Sequence, residues 1–205
     1  MREEKGMKFI KRSFDIVCSL LLIICLSPLF AAVTLLLLIK QHRPIFFVQK
    51  RVGKNENAES VSDLECFEIY KFRTFIINSI ECASKDASAD EVTPIGKILR
   101  KTSIDELPQL FNILKGDMSF VGPRPLIPAE ENIKRLRFEA GVYKVKPGMT
   151  GWAQVNGRDE LTDEEKVRYD KEYIENMSLA FDIKIAPPVR ECGKGKVRRV
   201  EPDMV

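Results

Sequence analysis

The stretch IVCSLLLIICLSPLFAAVTLLLLI, residues 16–39, decides how this chain is built. It is about 24 residues long without a charged side chain, enough for a helix to cross a ~30 Å hydrocarbon core. Three readings compete for it. A cleaved signal peptide suits the basic start at Lys8, Lys11 and Arg12, but such an apolar region stops after about 7–15 residues. Here Leu35 to Ile39 run on past any cleavage site near Ala32. A single spanning helix is the second reading. The third is a re-entrant hairpin that enters and leaves on one side. Ser27-Pro28 near the middle favours the hairpin, because proline removes a helix hydrogen bond and clashes with the preceding turn. It leaves halves of about 11 residues, each ~17 Å long and too short to cross alone. Both flanks are basic (Lys8, Lys11 and Arg12 before, Lys40, Arg43, Lys50 and Arg51 after), and positive residues prefer the cytoplasmic side. Kinked helices do span membranes, so the residues alone leave hairpin and span open. Asp15, at the edge of the run, reads as a partner for Arg12 or another cation there.

Beyond this run the chain is ordinary. Its 205 residues suit one globular domain, or one domain plus an anchor, enough to bury a core. The formal net charge of +3 is too small to define a partner by itself. The five cysteines (Cys18, Cys25, Cys66, Cys82 and Cys192) are scattered, with no CxxC, and His42 is the only histidine. That pattern supports neither a disulfide framework nor a zinc site, and it fits a reducing compartment.

Local patterns give the coarse organisation. Pro44 to Val52 reads as a short strand, with Ile45, Phe46, Phe47 and Val48 as its apolar residues, leading to a turn at Gly53, and residues 54–65 as a polar loop. Phe67 to Arg73 alternates with period two, a half-buried strand. Residues 78–91 read as a loop. Helices are expected over Pro94–Lys101, Ser103–Leu114 and Glu130–Ala140, with a turn-rich region from Gly116 to Pro128 and another from Lys146 to Arg158. Thr162-x-x-Glu165 is a capping box ahead of a helix carrying Val167, Ile174 and Met177 on one side. After Ile185 the chain turns to prolines, glycines, Arg190, Lys194, Lys196, Arg198 and Arg199, and reads as disordered and basic.

Chemistry-bearing residues cluster in the middle of the chain. Asp105-Glu106 stands at the start of an expected helix, where Ser103-x-x-Glu106 also reads as a capping box. A helix N-terminus favours an ionised carboxylate, and an ionised Asp can attack phosphorus while a neighbouring Glu holds Mg²⁺. In Gly122-Pro123-Arg124-Pro125 two prolines fix the backbone around one guanidinium, a presentation suited to phosphate. Lys71 and Arg73 share one face of the expected strand. Two carboxylates and three cations suit phosphoryl transfer, which runs on positioning and charge neutralisation. Neither a Walker loop nor a dinucleotide fingerprint is present. Trp152 reads either as core packing or as a platform for a base.

Lys71-Phe-Arg-Thr74, Ser103-Ile-Asp-Glu-Leu-Pro-Gln-Leu-Phe-Asn112, Lys115-Gly-Asp-Met-Ser119, Val121-Gly-Pro-Arg-Pro125 and Pro147-Gly-Met-Thr-Gly-Trp-Ala-Gln-Val-Asn-Gly-Arg158 together resemble the bacterial sugar transferases, the monotopic phosphoglycosyl transferases, in order and approximate spacing. The resemblance covers about residues 8–185. It implies an α+β, mostly helical fold: a re-entrant helix-break-helix anchor (1–40), a small cytoplasmic catalytic domain with short strands and interfacial helices (41–185), and a departing tail (186–205). It implies a bacterial inner-membrane enzyme that moves a sugar-1-phosphate from a UDP-sugar to undecaprenyl (polyprenyl) phosphate and starts a surface polysaccharide or glycoconjugate such as capsule, lipopolysaccharide or exopolysaccharide.

In this family the first acid of the pair, here Asp105, attacks the β-phosphate, expels UMP and carries a covalent phosphosugar. Glu106 matches the partner acid that binds Mg²⁺, the expected cofactor. Arg124 would hold phosphate, and Lys71 and Arg73 match the basic strand. Gln154, Asn156 and Arg158 fall in the segment expected near the nucleotide or sugar. Ser27-Pro28 matches the family's kink and favours the hairpin. Expected partners are the UDP-sugar, polyprenyl phosphate, membrane lipid and downstream glycosyltransferases, with no nucleic acid. Three departures stand out: Glu91 sits where a cation is usual, Phe75 replaces a methionine, and the apolar interfacial helix expected after Ile185 is replaced by the basic tail. The last raises a second reading, an inactive membrane-anchored copy acting as a scaffold.

Overall fold

A computed structural model describes residues 2–76 and 92–186, with side chains from residue 6. The loop expected over 78–91, Glu91, Cys82, Cys192 and nearly all of the basic tail lie outside the described residues.

The apolar run forms two helices, α1 (Arg2–Cys25) and α2 (Ser27–Gln41). No single described helix is long and apolar enough to cross a membrane; Gly6–Cys25 and Ser27–Gln41 reach that length only as a pair bent by 59°. The cause of the bend is local. Pro28 has no N–H for the carbonyl of Ile24, and the Ser27 hydroxyl donates to that carbonyl instead, at 2.8 Å. Serine thus repairs the ladder that proline opens, and the elbow is satisfied rather than frayed.

The elbow rests on the rest of the chain. Val33 and Leu37 of α2 pack with Phe72 and Leu99, and Phe30 meets Phe72 and Phe111 with ring centroids 5.8 Å apart in both pairs. The outer face stays uncovered: Phe9, Ile10, Phe14, Val17, Leu21, Ile24, Leu35 and Ile39 are exposed. An apolar surface this continuous marks contact with lipid or protein.

Strands β1 (Phe46–Val52) and β2 (Cys66–Phe72) pair antiparallel, Phe46 against Phe72 through Val52 against Cys66. Helix α3 (Pro94–Lys101) starts with Thr93 accepting from the Gly96 amide, with Pro94 in the first turn. The helix expected over Ser103–Leu114 is instead a 3-10 turn, Ile104–Glu106, followed by α4 (Gln109–Lys115). The capping box does not form: Ser103 adopts φ 57° and makes no cap, and Glu106 turns away to a lysine. Pro108 has no N–H to carry a regular helix through this point, so the chain tightens there.

A strand hides in each turn-rich region. β3 (Ser119–Val121) and β4 (Gly148–Thr150) run parallel, Ser119 opposite Gly148 and Val121 opposite Thr150. Here Gly122 and Gly148 are required by proximity, since a Cβ on Gly148 would lie 2.1 Å from the Gly122 nitrogen. The Val-Gly-Pro and Pro-Gly-Met motifs therefore meet backbone to backbone. Helices α5 (Glu131–Glu139), α6 (Trp152–Val155), α7 (Asp163–Glu175) and α8 (Leu179–Ile185) follow among the described residues. The Thr162 capping box forms as expected.

The basic start of α1 docks inward. Arg12 donates to the Ile113 and Leu114 carbonyls at the end of α4 (2.6 and 2.8 Å), and Lys11 pairs with Asp182 of α8. Asp15 is not Arg12's partner. It is buried and accepts from the Ser119 hydroxyl and the Phe120 amide.

Candidate active site

Asp105 and Glu106 occupy consecutive positions of the 3-10 turn between α3 and α4, facing the end of β2. Lys71 donates to Glu106 at 2.7 Å. Burial, which raises the Glu106 carboxyl, is outweighed by the Lys71 charge and hydrogen bond and by the Arg124 and Arg158 charges, so Glu106 is held below its ordinary range. Asp105 goes the other way. It is 8% exposed, and burial together with the Glu106 charge pushes it up to about 6 against the pull of Lys71 and Arg100. The helix N-terminus expected to favour the ionised form is a single 3-10 turn, and desolvation dominates, so Asp105 is raised rather than lowered and is ionised only above pH about 6. Two adjacent carboxylates are thereby split in basicity.

Four of the expected site residues other than Asp105 act on one another. Lys71 touches Glu106, and Arg124 and Arg158 are near enough for their charges to act on it. Arg124 is presented by buried Pro123 and Pro125, and its carbonyl accepts from Arg137 at 2.6 Å. Arg158 has φ 49° after Gly157 at φ 147°, a turn that Asn156-Gly157 makes possible.

Arg73 is not brought to this cluster. It is 2% exposed and donates to the Gln41 and His42 carbonyls, closing the C-terminus of α2. It clamps the end of α2 to the strand carrying Lys71, so the shared cationic face is corrected: Lys71 and Arg73 lead to different places. Asn156 spends its amide on the Trp152 carbonyl at 2.8 Å. Gln154 donates to Met149 at 3.4 Å and keeps a buried, unpartnered Oε1. Trp152 is core, packed against Phe181 and Tyr169 with centroids 5.0 and 6.3 Å away.

Two cations join that sequence reasoning passed over. Arg51 of β1 donates to the Pro125 carbonyl at 3.1 Å; burial and the Arg124 charge lower it to about 10, against Glu130 and Glu106. Arg100 of α3 donates to Thr74, lies 4.0 Å over the Phe75 ring, and acts electrostatically on Asp105. Phe75, the departure from methionine, thus seats a site arginine. Only the period-two position of Arg51 behind Phe47 and Gln49 hinted at its direction.

No group of three or more metal-ligating side chains occurs among the described residues. A pair of acids still fits Mg²⁺, which is commonly bound through one or two carboxylates with substrate phosphates and water completing the shell.

The family described as bacterial sugar transferase matches residues 6–188. The chain belongs to the bacterial sugar transferase family. It is 40% identical over 188 residues to the undecaprenyl-phosphate glucose phosphotransferase of Komagataeibacter xylinus, covering 85% of this chain and 34% of that one. It is 37% identical over 203 residues to the undecaprenyl-phosphate galactose phosphotransferase of Salmonella typhimurium, covering 89% and 40%. The chain thus spans well under half the length of these two relatives. Against the uncharacterized sugar transferase EpsL of Bacillus subtilis it is 40% identical over 179 residues, covering 86% of this chain and 83% of that one.

Proposed function

We propose that this chain is a phosphoglycosyl transferase that moves a sugar-1-phosphate from a UDP-sugar to undecaprenyl phosphate through an aspartyl intermediate. The observation that carries the reading is the split pair: a buried, basic carboxylate on Asp105 beside an ionised Glu106, ringed by Lys71, Arg100, Arg124 and Arg158.

Above pH about 6 Asp105 is a carboxylate whose burial has stripped it of water, which makes it a better nucleophile. One Asp105 oxygen forms a bond to the β-phosphorus as the bond to the oxygen bridging the α- and β-phosphates breaks, and UMP leaves with that oxygen. A phosphate oxygen of the lipid then attacks the same phosphorus, the bond between that phosphorus and the Asp105 oxygen breaks, and the carboxylate returns. Lys71, Arg124 and Arg158 neutralise the oxygens between which charge moves. Glu106 would hold Mg²⁺, which supplies charge neutralisation on the phosphates when bound.

The exposed apolar face of α1 and α2 supports a seat in the cytoplasmic membrane, with the bent pair as a re-entrant hairpin and Asp105 at the cytoplasmic interface. Substituting Ser27→Ala with Pro28→Ala restores a straight ladder through residue 24. In a chain keeping only Cys66, exposed in β2, this substitution is expected to carry a measurable fraction of molecules across the bilayer. A membrane-impermeant maleimide applied to spheroplasts reads it: no Cys66 labelling before the change, labelling after.

The function itself is tested by UMP release from a panel of UDP-sugars with undecaprenyl phosphate and membranes, together with radiolabelled donor. Sugar-phosphate label on Asp105 and UMP from at least one donor are expected. Folded protein that takes label from none of the panel overturns the reading and leaves the scaffold role.

A further inference from the structure

A second charged region lies apart from the acidic pair. Between α1, β3 and the segment leading to β4 a pocket of about 500 Å³, open mouth included, is lined by Lys8, Lys11, Arg12, Lys54, Lys144 and Lys146. It shares none of its lining with the Asp105 cluster. The carboxylates nearby are committed: Asp15 to Ser119 and Phe120, Asp182 to Lys11 and Tyr173, and Glu56 to Lys8 and Lys54. Lys144 and Lys146 have no carboxylate within ion-pair distance among the described residues.

Crowding there is specific. The Arg12 guanidinium and the Lys146 ammonium converge on Gly116, 3.2 and 3.4 Å from where its Cβ would be. Lys146 is half-buried, and burial, with the Arg12 charge second, lowers its pKa. Asp15 and Asp117 act on Lys146 only from beyond ion-pair distance and do not offset its burial and the Arg12 charge, and two cations pressed together in this way make an anion's place.

The setting identifies the anion. Lys8, Lys11, Arg12 and Asp15 recur at helical spacing and turn one face of α1 into the pocket. Over the same turns the other face exposes Phe9, Ile10, Phe14 and Val17. A ligand seated here meets these cations together with Val121, Val145 and Met177 of the same lining, on a helix whose other face carries the exposed apolar side chains. We propose that this pocket holds the phosphate headgroup of an anionic phospholipid of the surrounding bilayer and fixes how the catalytic domain sits on the membrane. The proposal rests on the membrane seat argued above but not on the transferase chemistry.

The test uses the full chain, stripped of phospholipid in detergent and titrated in mixed micelles, with native mass spectrometry counting retained lipid. Phosphatidylglycerol is expected to bind with one equivalent at least tenfold tighter than phosphatidylcholine. Each lysine near a membrane surface contributes about fivefold, so Lys144→Gln with Lys146→Gln is expected to lower phosphatidylglycerol affinity about tenfold or more while leaving UMP release in detergent unchanged. Lys144→Glu alone, at an exposed position, gives the same direction should the double variant unfold. Equal retention of both lipids, or unchanged preference in the variants, overturns the proposal. Displacement of the lipid by millimolar inorganic phosphate also overturns it, in favour of a free-anion site. Asp105→Asn protein is expected to retain the lipid as wild type does, so failure of the transferase reading and failure of this one are told apart.

Discussion

Asp105→Asn is expected to abolish UMP release, by at least about a thousandfold, and at the same time to make the protein more stable at neutral pH. The second effect follows from the raised pKa. An aspartate at 3.8 in the unfolded chain and about 6 in the folded one binds its proton more tightly when folded. Below pH about 4 both states are protonated and the group contributes nothing. Between about 4 and 6 the unfolded chain gives up its proton first, so stability falls as pH rises. Above 6 the full penalty for burying the charge is present, about 3 kcal/mol at ~1.36 kcal/mol per pH unit. Asparagine removes it. At ~2–4 °C per kcal/mol for a chain of this size, the unfolding midpoint of the variant is expected about 6–12 °C above wild type at pH 7.5 and level with it near pH 4.

Glu106→Gln has the opposite sign. Its folded pKa is depressed, so the stability it contributes is present above about pH 4.5 and lost as pH falls through the folded value. Replacing it leaves Lys71 without its partner and lowers the midpoint at neutral pH. Thermal scans of both variants across pH 4–8 read the contrast directly. A stabilising Asp105→Asn beside a destabilising Glu106→Gln would show that one acid is held against the interests of the fold, as functional groups are. If Asp105→Asn melts at or below wild type at pH 7.5, the carboxylate is not desolvated as described. The same titration sets the activity limb: kcat/KM is expected to fall about tenfold per pH unit below 6, since it reports the free enzyme.

The break at Ser27-Pro28 and the two strands were legible in the sequence because each rests on local rules. Ser27-Pro28 breaks a helix wherever it falls, and alternation from Phe67 to Phe72 makes a strand against any partner. What was not legible came from distant pairing. β3 and β4 look like turns because each is three residues long and flanked by glycine and proline, and they become strands only when they meet. Arg73 follows the alternation that placed Lys71 but finds the open carbonyls of Gln41 and His42, 31 or more residues away. Asp105 offered two opposing pulls, a helix terminus and burial, and nothing in its neighbours along the chain says which is larger. Arg51 and Arg100 escaped because a flanking cation and a helix-end arginine are ordinary features until β1 and α3 bring them round the same two acids.

Asp170→Asn is expected to cost about 3–5 kcal/mol, the usual loss when one partner of a buried ion pair is removed. Arg137 and Asp170 meet at 2.6 Å with side chains 4% and 1% exposed, between α5 and α7. With asparagine in place, Arg137 keeps its charge in a site water does not reach. The pair is imperfect even in the wild type, since the Arg137 Nε has no partner. Replacing both, as Arg137→Met with Asp170→Leu, should therefore recover most of the lost stability. It should not recover function. Arg137 also donates to the Arg124 carbonyl at 2.6 Å, a side-chain tether on the backbone of the Pro-Arg-Pro loop beside that of Arg51 on the Pro125 carbonyl at 3.1 Å. Without it the guanidinium of Arg124 loses its fixed approach to Glu106, and a displacement near 1 Å at a positioning group costs on the order of a hundredfold. Chemical denaturation and steady-state kinetics on both proteins separate the roles. A double variant that is stable but slow, with kcat reduced more than KM is raised, makes Arg137 a positioning residue for Arg124. A double variant that is stable and fully active would mean the two prolines and the Arg51 tether on Pro125 hold Arg124 without Arg137.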